Sequence, residues 1–164
     1  RLVSVIGAAY RGVVSEWFVA EAEKYCAFVE MTTSEIPIVE RLVMARQRLL
    51  ALYAAALTLP VEPPAGLDRE VPKRTVSGWP GFEAFDLYWE TYDPAEDNLV
   101  GSSITDDMLD VHGDVSRGLE LWNAGHRDEA VWEWRFHLDT HWGVHAIDAL
   151  RALHWAINRA RGYQ

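Results

Sequence analysis

Cysteine is almost missing from this 164-residue chain, and the lone Cys26 closes off two common architectures at once. No intrachain disulfide can form and no cysteine-based zinc site can be built, which fits a reducing compartment and points to the cytoplasm. Cys26 sits in a helical apolar pattern with Tyr25, Phe28 and Val29, and Lys24 is the only base nearby, so it reads as a small core side chain and not as a nucleophile. Long hydrophobic runs are missing as well. The nearest, Leu49 to Leu59, falls short of the roughly 20 apolar residues that span a bilayer. It follows Arg46 and Arg48 and reads as the buried end of a helix, so no membrane role is expected.

Positive charge is scarce. Lys and Arg number 15 against 25 Asp and Glu, for a net charge of -10, and bases such as Arg41, Arg46, Arg48, Arg69, Lys73 and Arg74 form no dense patch. The attraction that carries most nonspecific affinity for DNA or RNA is therefore absent, which excludes nucleic acid and leaves a protein as the expected partner. Recognisable catalytic motifs are missing too: there is no HExxH, no GxSxG and no glycine-rich phosphate loop. The chain opens on Arg1 and not on methionine, which reads as a trimmed or processed start. Leu2 to Ala9 reads as a short lead-in without the layout of a signal peptide.

What is present is a globular balance, 49% hydrophobic and 24% charged, arranged almost throughout at helical spacing. The expected fold is all-α, one domain over residues 1–164, a bundle of about five helices whose last two form a long antiparallel hairpin. The first helix covers residues 13 to 31 through Val14, Trp17, Phe18, Tyr25 and Val29. The second starts at Thr33 or Ser34, where a hydroxyl can cap and Pro37 suits the first turn, and runs to about Leu57. A surface connection rich in proline follows at about 60–80. A short helix is expected over Phe82 to Thr91, ended by a turn at Tyr92-Asp93-Pro94. Thr105 is the expected cap of the next helix, whose first turn carries Asp106 and Asp107 and whose stripe is Met108, Val111, Val115, Leu119 and Trp122. Gly125 ends it in the left-handed conformation, and one long helix runs from Asp128 to Arg159. Residues 118 to 130 look like the helix junction of a tetratricopeptide unit, but a single copy builds no solenoid.

His137, His141 and His145 recur every four residues along the last helix, and Asp106, Asp110 and Asp114 do so along the one before it. Folding the pair about the turn sets Asp114 level with His137, Asp110 with His141 and Asp106 with His145. Two readings stay open. His137 and His141 with Asp110 and Asp114 are ligand types for a divalent transition metal. Alternatively the histidines donate structural hydrogen bonds at the edge of a core. On a simple wheel the three aspartates lie nearer the polar face than the apolar stripe, and Asp107 is better aimed at the core edge, so a solvated acidic face is a third possibility.

Arg135 and Asp139 fall near the middle of the apolar stripe, where buried ions need partners, and are expected to bridge each other with Asp110 or a glutamate completing the set. Gly143 costs about 1 kcal/mol against alanine inside a helix, so another helix, or a ligand in a tryptophan-lined pocket, is expected to pass close to it. Eight tryptophans are many for this length. Trp132 lies away from the main stripe, and Trp132 and Trp79 are the candidate interface residues.

Tyr92-Asp93-Pro94, Thr105 to Val115, Gly118-Leu119, Glu129 to Phe136, His141 to Ala146 and Ala149 to His154 together resemble the bacterial family called domain of unknown function 5063, over about residues 79–155. The His-Trp-Gly-Val-His-Ala segment after Glu-Trp-Arg-Phe is its most specific part. Relatives in that family carry an aromatic where this chain has His112, so the resemblance gives His112 no role. It implies an all-helical fold in a bacterial cytoplasm and no activity, substrate or cofactor. The expected function is a non-enzymatic protein-binding module with a regulatory, accessory or immunity-like role, with no cofactor. The alternative is a metal-dependent hydrolase on the His/Asp cluster.

Overall fold

The computed structural model describes residues 2–31, 35–61, 63, 71, 74–90 and 100–163, and within the first helix the side chains from residue 12 on, residue 14 apart. Helix α1 spans Leu2–Val29, so the stretch expected to be a lead-in is helical too. Phe18, Ala22, Tyr25 and Val29 fall on one face and are fully buried, which is the period of an amphipathic helix turned to a core. Helix α2, Ile38–Ala56, buries Leu42, Ala45, Leu49 and Leu52 by the same rule. Its cap position is Pro37, without a side-chain hydrogen bond, whereas Thr33 and Ser34 lie outside the described residues.

The proline-rich connection is irregular where it is described, and it is tied to the helices by its own side chains. The Arg74 guanidinium bridges Glu30 at 3.2 Å and Glu120 at 2.6 Å. Trp79 stands edge-on to Phe82 and Phe28, with ring centres 5.3 and 6.1 Å apart, and is half-buried against them.

The helix expected over Phe82 to Thr91 does not form. A single 3-10 turn, Glu83–Phe85, leads into strand β1, Leu87–Trp89, which pairs antiparallel with β2, Gly101–Ser103. The Phe82, Phe85 and Trp89 spacing mimics a helix face, but aromatic residues suit a half-buried strand equally well. Asp86 decides the matter. Its carbonyl accepts from the Ile104 N–H at 3.0 Å and its carboxylate accepts from the Thr105 N–H and hydroxyl, both at 2.7 Å, so the chain must run extended past the start of the next helix. Residues 91–99, with the expected Tyr92-Asp93-Pro94 turn, lie outside the described residues.

Helix α3, Ile104–Asn123, is capped by Ser103, whose Oγ accepts from the Asp106 N–H at 3.1 Å. Thr105, the expected cap, instead stands inside the first turn. Gly125, at φ +88°, reverses the chain into α4, Arg127–His137, which packs back along α3 as expected. Trp134 sets their separation. Its indole N–H donates to the Val115 carbonyl at 2.9 Å, and its ring lies so close over Gly118 that a Cβ there would overlap the indole nitrogen. Phe18 of α1 packs on the same ring, 4.7 Å between centres.

The last helical stretch is unbroken to Ala160, but it is not one α-helix. A π turn, Leu138–Trp142, separates α4 from α5, Gly143–Ala160. A Cβ on Gly143 would overlap the carbonyl oxygen of Leu138, five residues back, so this glycine answers to its own turn and not to a passing helix or a ligand. α3 packs against α1, α4 and α5, and α2 against α1 and α5. The architecture is all-α apart from the strand pair, and no helix among the described residues is long and apolar enough to cross a membrane.

Candidate functional site

The expected rows of imidazoles and carboxylates do meet, in a different register. Asp114 sits between two histidines, with Oδ2 at 2.6 Å from His141 Nδ1 and 3.7 Å from His137 Nδ1. His145 in turn sits between two aspartates, Nδ1 at 2.9 Å from Asp107 Oδ1 and Nε2 at 3.8 Å from Asp110 Oδ2. The pairing of Asp110 with His141 and of Asp106 with His145 therefore gives way. The π turn is the cause, because it holds one more residue than an α turn and rotates everything after it. Asp106 is exposed and points its backbone, not its carboxylate, at a partner.

Burial separates the members of the seam. Asp107 and Asp114 are 1% and 2% exposed, whereas His141 and His145 keep 41% and 30% of their side chains in solvent. Asp114 is thus no part of a solvated acidic face. A carboxylate can only accept, so Asp114 and Asp107 select, for the neutral form of each imidazole, the tautomer with the proton on Nδ1 and the lone pair on Nε2. Tyr88 donates its hydroxyl to the other oxygen of Asp107 at 2.5 Å, and burial together with that bond raises the phenol pKa. The hydrogen bond to Asp107 raises the His145 imidazole, against the burial that lowers it, and the charges of Asp110, Asp107 and Glu90 add to the rise. Nearby, burial raises the Asp148 carboxyl; Arg151 opposes this, and Asp107 and Glu90 add to it.

His137 is engaged elsewhere. Its Nε2 contacts the Arg117 guanidinium and lies 3.2 Å from Glu133, while Arg117 also bridges Glu133 at 2.9 Å. The bond with His137 holds Glu133 below the carboxylate range, burial opposing it and Arg117 assisting. Arg117, Glu133 and Tyr88 were not singled out in the sequence, although Glu133 continues the four-residue spacing of His137, His141 and His145; Arg117 is on the other helix, and Tyr88 arrives from a strand. Arg135 and Asp139 do pair, at 2.9 Å, but Asp139 is exposed and Arg135 donates from Nη1 to the carbonyls of Leu57 and Leu59, both at 3.4 Å. Asp139 opens the π turn with its side chain in solvent, and Arg135, ahead of that turn, sits at the margin of the apolar stripe and not in its middle. His112 has a structural place, buried with Nε2 at 2.9 Å from Glu30, and burial lowers its pKa against the pull of that carboxylate. Burial likewise pushes the Cys26 thiol up to about 12, as suits a core side chain.

A second feature lies beyond the seam. Between the strand pair and the far half of α5 opens a cleft of about 840 Å³, lined by Phe85, Leu87, Tyr88, Trp89 and Trp155. Leu87, Trp89 and Trp155 are 76%, 62% and 63% exposed, a concentration of large apolar groups left in water. Two guanidiniums flank it. Arg151 stacks over Tyr88 and donates to the Trp89 carbonyl at 2.9 Å, and Arg159 stacks over Phe85, each 5.7 Å from the ring centre. Trp132, the other interface candidate, is half-buried and stacks on Phe136, 5.5 Å between centres, away from the residues that line this cleft.

Among the described residues no three His, Cys, Asp or Glu side chains are arranged to hold a metal ion. The sequence matches the model of the family described as Domain of unknown function (DUF5063) over residues 13–158, well beyond the stretch that carried the resemblance, and the chain belongs to that family. No curated protein matches it. Among solved structures it is similar to protein BF1032 from Bacteroides fragilis, at 20% identity and a TM-score of 0.66, over 84% of this chain and 88% of that one. At that identity the likeness shows the helical fold alone.

Proposed function

We propose that this member of the domain of unknown function 5063 family is a protein-binding module without chemistry of its own, serving a regulatory, accessory or immunity-like role in a bacterium. The observation that carries the reading is the cleft between the strand pair and α5. Tryptophan, tyrosine and arginine are the residues that dominate binding energy at protein interfaces, and here they line one concavity. Its volume falls within the range of about 300–1,000 Å³ typical of ligand clefts. The two guanidiniums stand out on a chain of net charge -10, so the partner segment that fits is apolar or aromatic with carboxylates beside it.

The test is selection from a displayed random-peptide library on the full chain, counter-selected on Trp155→Ala. Enriched peptides should carry an apolar anchor next to Asp or Glu and lose tenfold or more of their affinity, about 1.4 kcal/mol, on Trp155→Ala and on Arg159→Glu. Peptides that bind both variants as well as the parent would refute the reading. The hydrolase alternative places its chemistry at the seam, so an activity untouched by Trp155→Ala and lost in His141→Ala would favour it.

A further inference from the structure

Independently of the cleft, we propose that His141 and His145, closed by Asp110, form a binding site for a divalent first-row transition ion of the zinc class, clamping α3 to α5. The two histidines are four residues apart on one helical face, the spacing that lets two imidazoles reach one ion. An ion about 2.0–2.1 Å from each Nε2 lies about 3.2 Å from each ring centre, and a tetrahedral angle then puts the ring centres about 5 Å apart. The observed separation is 5.0 Å.

The groups behind the rings strengthen the case. Each imidazole has Nδ1 on a buried carboxylate, Asp114 for His141 and Asp107 for His145. That is the arrangement which fixes the tautomer, locks the ring and raises the basicity of Nε2 in metal-binding histidines. Asp110 brings a third donor. Its Oδ2 lies 3.8 Å from His145 Nε2, and its half-exposed side chain has only a fraction of an ångström to move toward the roughly 3.4 Å edge of a tetrahedron. No complete three-ligand set stands among the described residues, so the imidazole pair is the fixed part and Asp110 and water close the shell. The donors differ from those the sequence suggested: Asp114 supports His141 from behind, and His137 is held by Arg117 and Glu133.

Calorimetric titration of the full chain with ZnCl2 alone, repeated with Co2+ and read by its visible absorption, tests this. One ion per chain is expected, with Co2+ bands of tetrahedral strength. His141→Ala and His145→Ala should each weaken binding by more than about tenfold, and Asp114→Asn by about tenfold although it touches no ion. Asp110→Asn, at an exposed carboxylate, reports on the site even where an imidazole variant folds poorly, and should weaken binding several-fold. His154→Ala, at an exposed imidazole on α5, should change nothing. Absence of zinc binding at a pH where the imidazoles are neutral, or binding that survives removal of both His141 and His145, overturns the proposal.

Discussion

Toward α3, the last helical stretch presents imidazoles whose Nδ1 atoms are taken up by buried carboxylates; toward β1 and β2, the same stretch presents Arg159, which lies over the Phe85 ring, and Trp155, most of which faces solvent. The two regions differ in who supplies the partner. In the seam the protein supplies it, and in the cleft most of the surface of Trp89 and Trp155 is left to solvent. Polar groups bonded internally stabilise a fold by fixing a unique arrangement, whereas exposed rings stabilise it little and keep their apolar area for something that arrives later. The same substitution should therefore mean different things on the two sides of α5.

The largest effect should come from the packing that holds the seam open to its width. Gly118→Ala puts a methyl group into the Trp134 indole, and chemical denaturation should show a loss of about 3 kcal/mol, at the upper end of overpacking costs. An unchanged midpoint would mean that α3 and α4 are free to slide apart. Asp114→Ala comes next, at about 2 kcal/mol, because it strips the buried acceptor from His141 and the counter-charge near Arg117. Retention of full stability would show that the seam is decoration on an apolar bundle.

Smaller, and of opposite sign for two histidines, are the pH effects. The folded state raises His145 above its usual value of about 6.5, so its stabilisation is complete below that pH and is lost as the pH rises through the higher folded value. His112 is lowered, so the unfolded chain takes up the proton first and stability falls as the pH drops through about 6.5. Unfolding midpoints at about pH 6 and pH 8 should then diverge: His145→Gln deepens the loss on acidification, and His112→Gln lessens it. The smallest effect belongs to the cleft. Trp155→Ala should shift stability by no more than about 0.5 kcal/mol by thermal unfolding, while abolishing the peptide binding proposed for the cleft. A shift of 2 kcal/mol would mark Trp155 as a structural ring and erase the contrast.

The sequence made some of this legible and concealed the rest for identifiable reasons. Periodic apolar residues such as Phe18, Tyr25, Leu42, Leu49, Met108 and Val115 located α1, α2 and α3, and Gly125 located the reversal, because each depends only on local spacing or a single φ angle. That histidines would meet aspartates across the last hairpin was also readable. Which would meet which was not, since a wheel drawn at a constant angle has no place for the π turn at Leu138–Trp142. Gly143 was the visible symptom, read as a close approach from outside when the crowding atom was the carbonyl of Leu138. The strand pair escaped because each strand has three residues, too few for a period to declare itself, and because what extends the chain there is Asp86 reaching a helix that begins eighteen positions later.

The extra residue in that π turn works as a gear tooth. Up to His137 the helical stretch is indexed to α3 through Trp134, and from Gly143 on it is indexed again, one position out of phase, so that the side carrying Arg151 and Trp155 swings round to the strands. Deleting Thr140, which is exposed and whose hydroxyl donates to the carbonyl of Phe136 in its own helix, would turn the far half by about 100° and carry those two side chains out of reach of β1, while leaving every residue of the cleft chemically intact. The length of one turn thus sets where the molecule faces its surroundings.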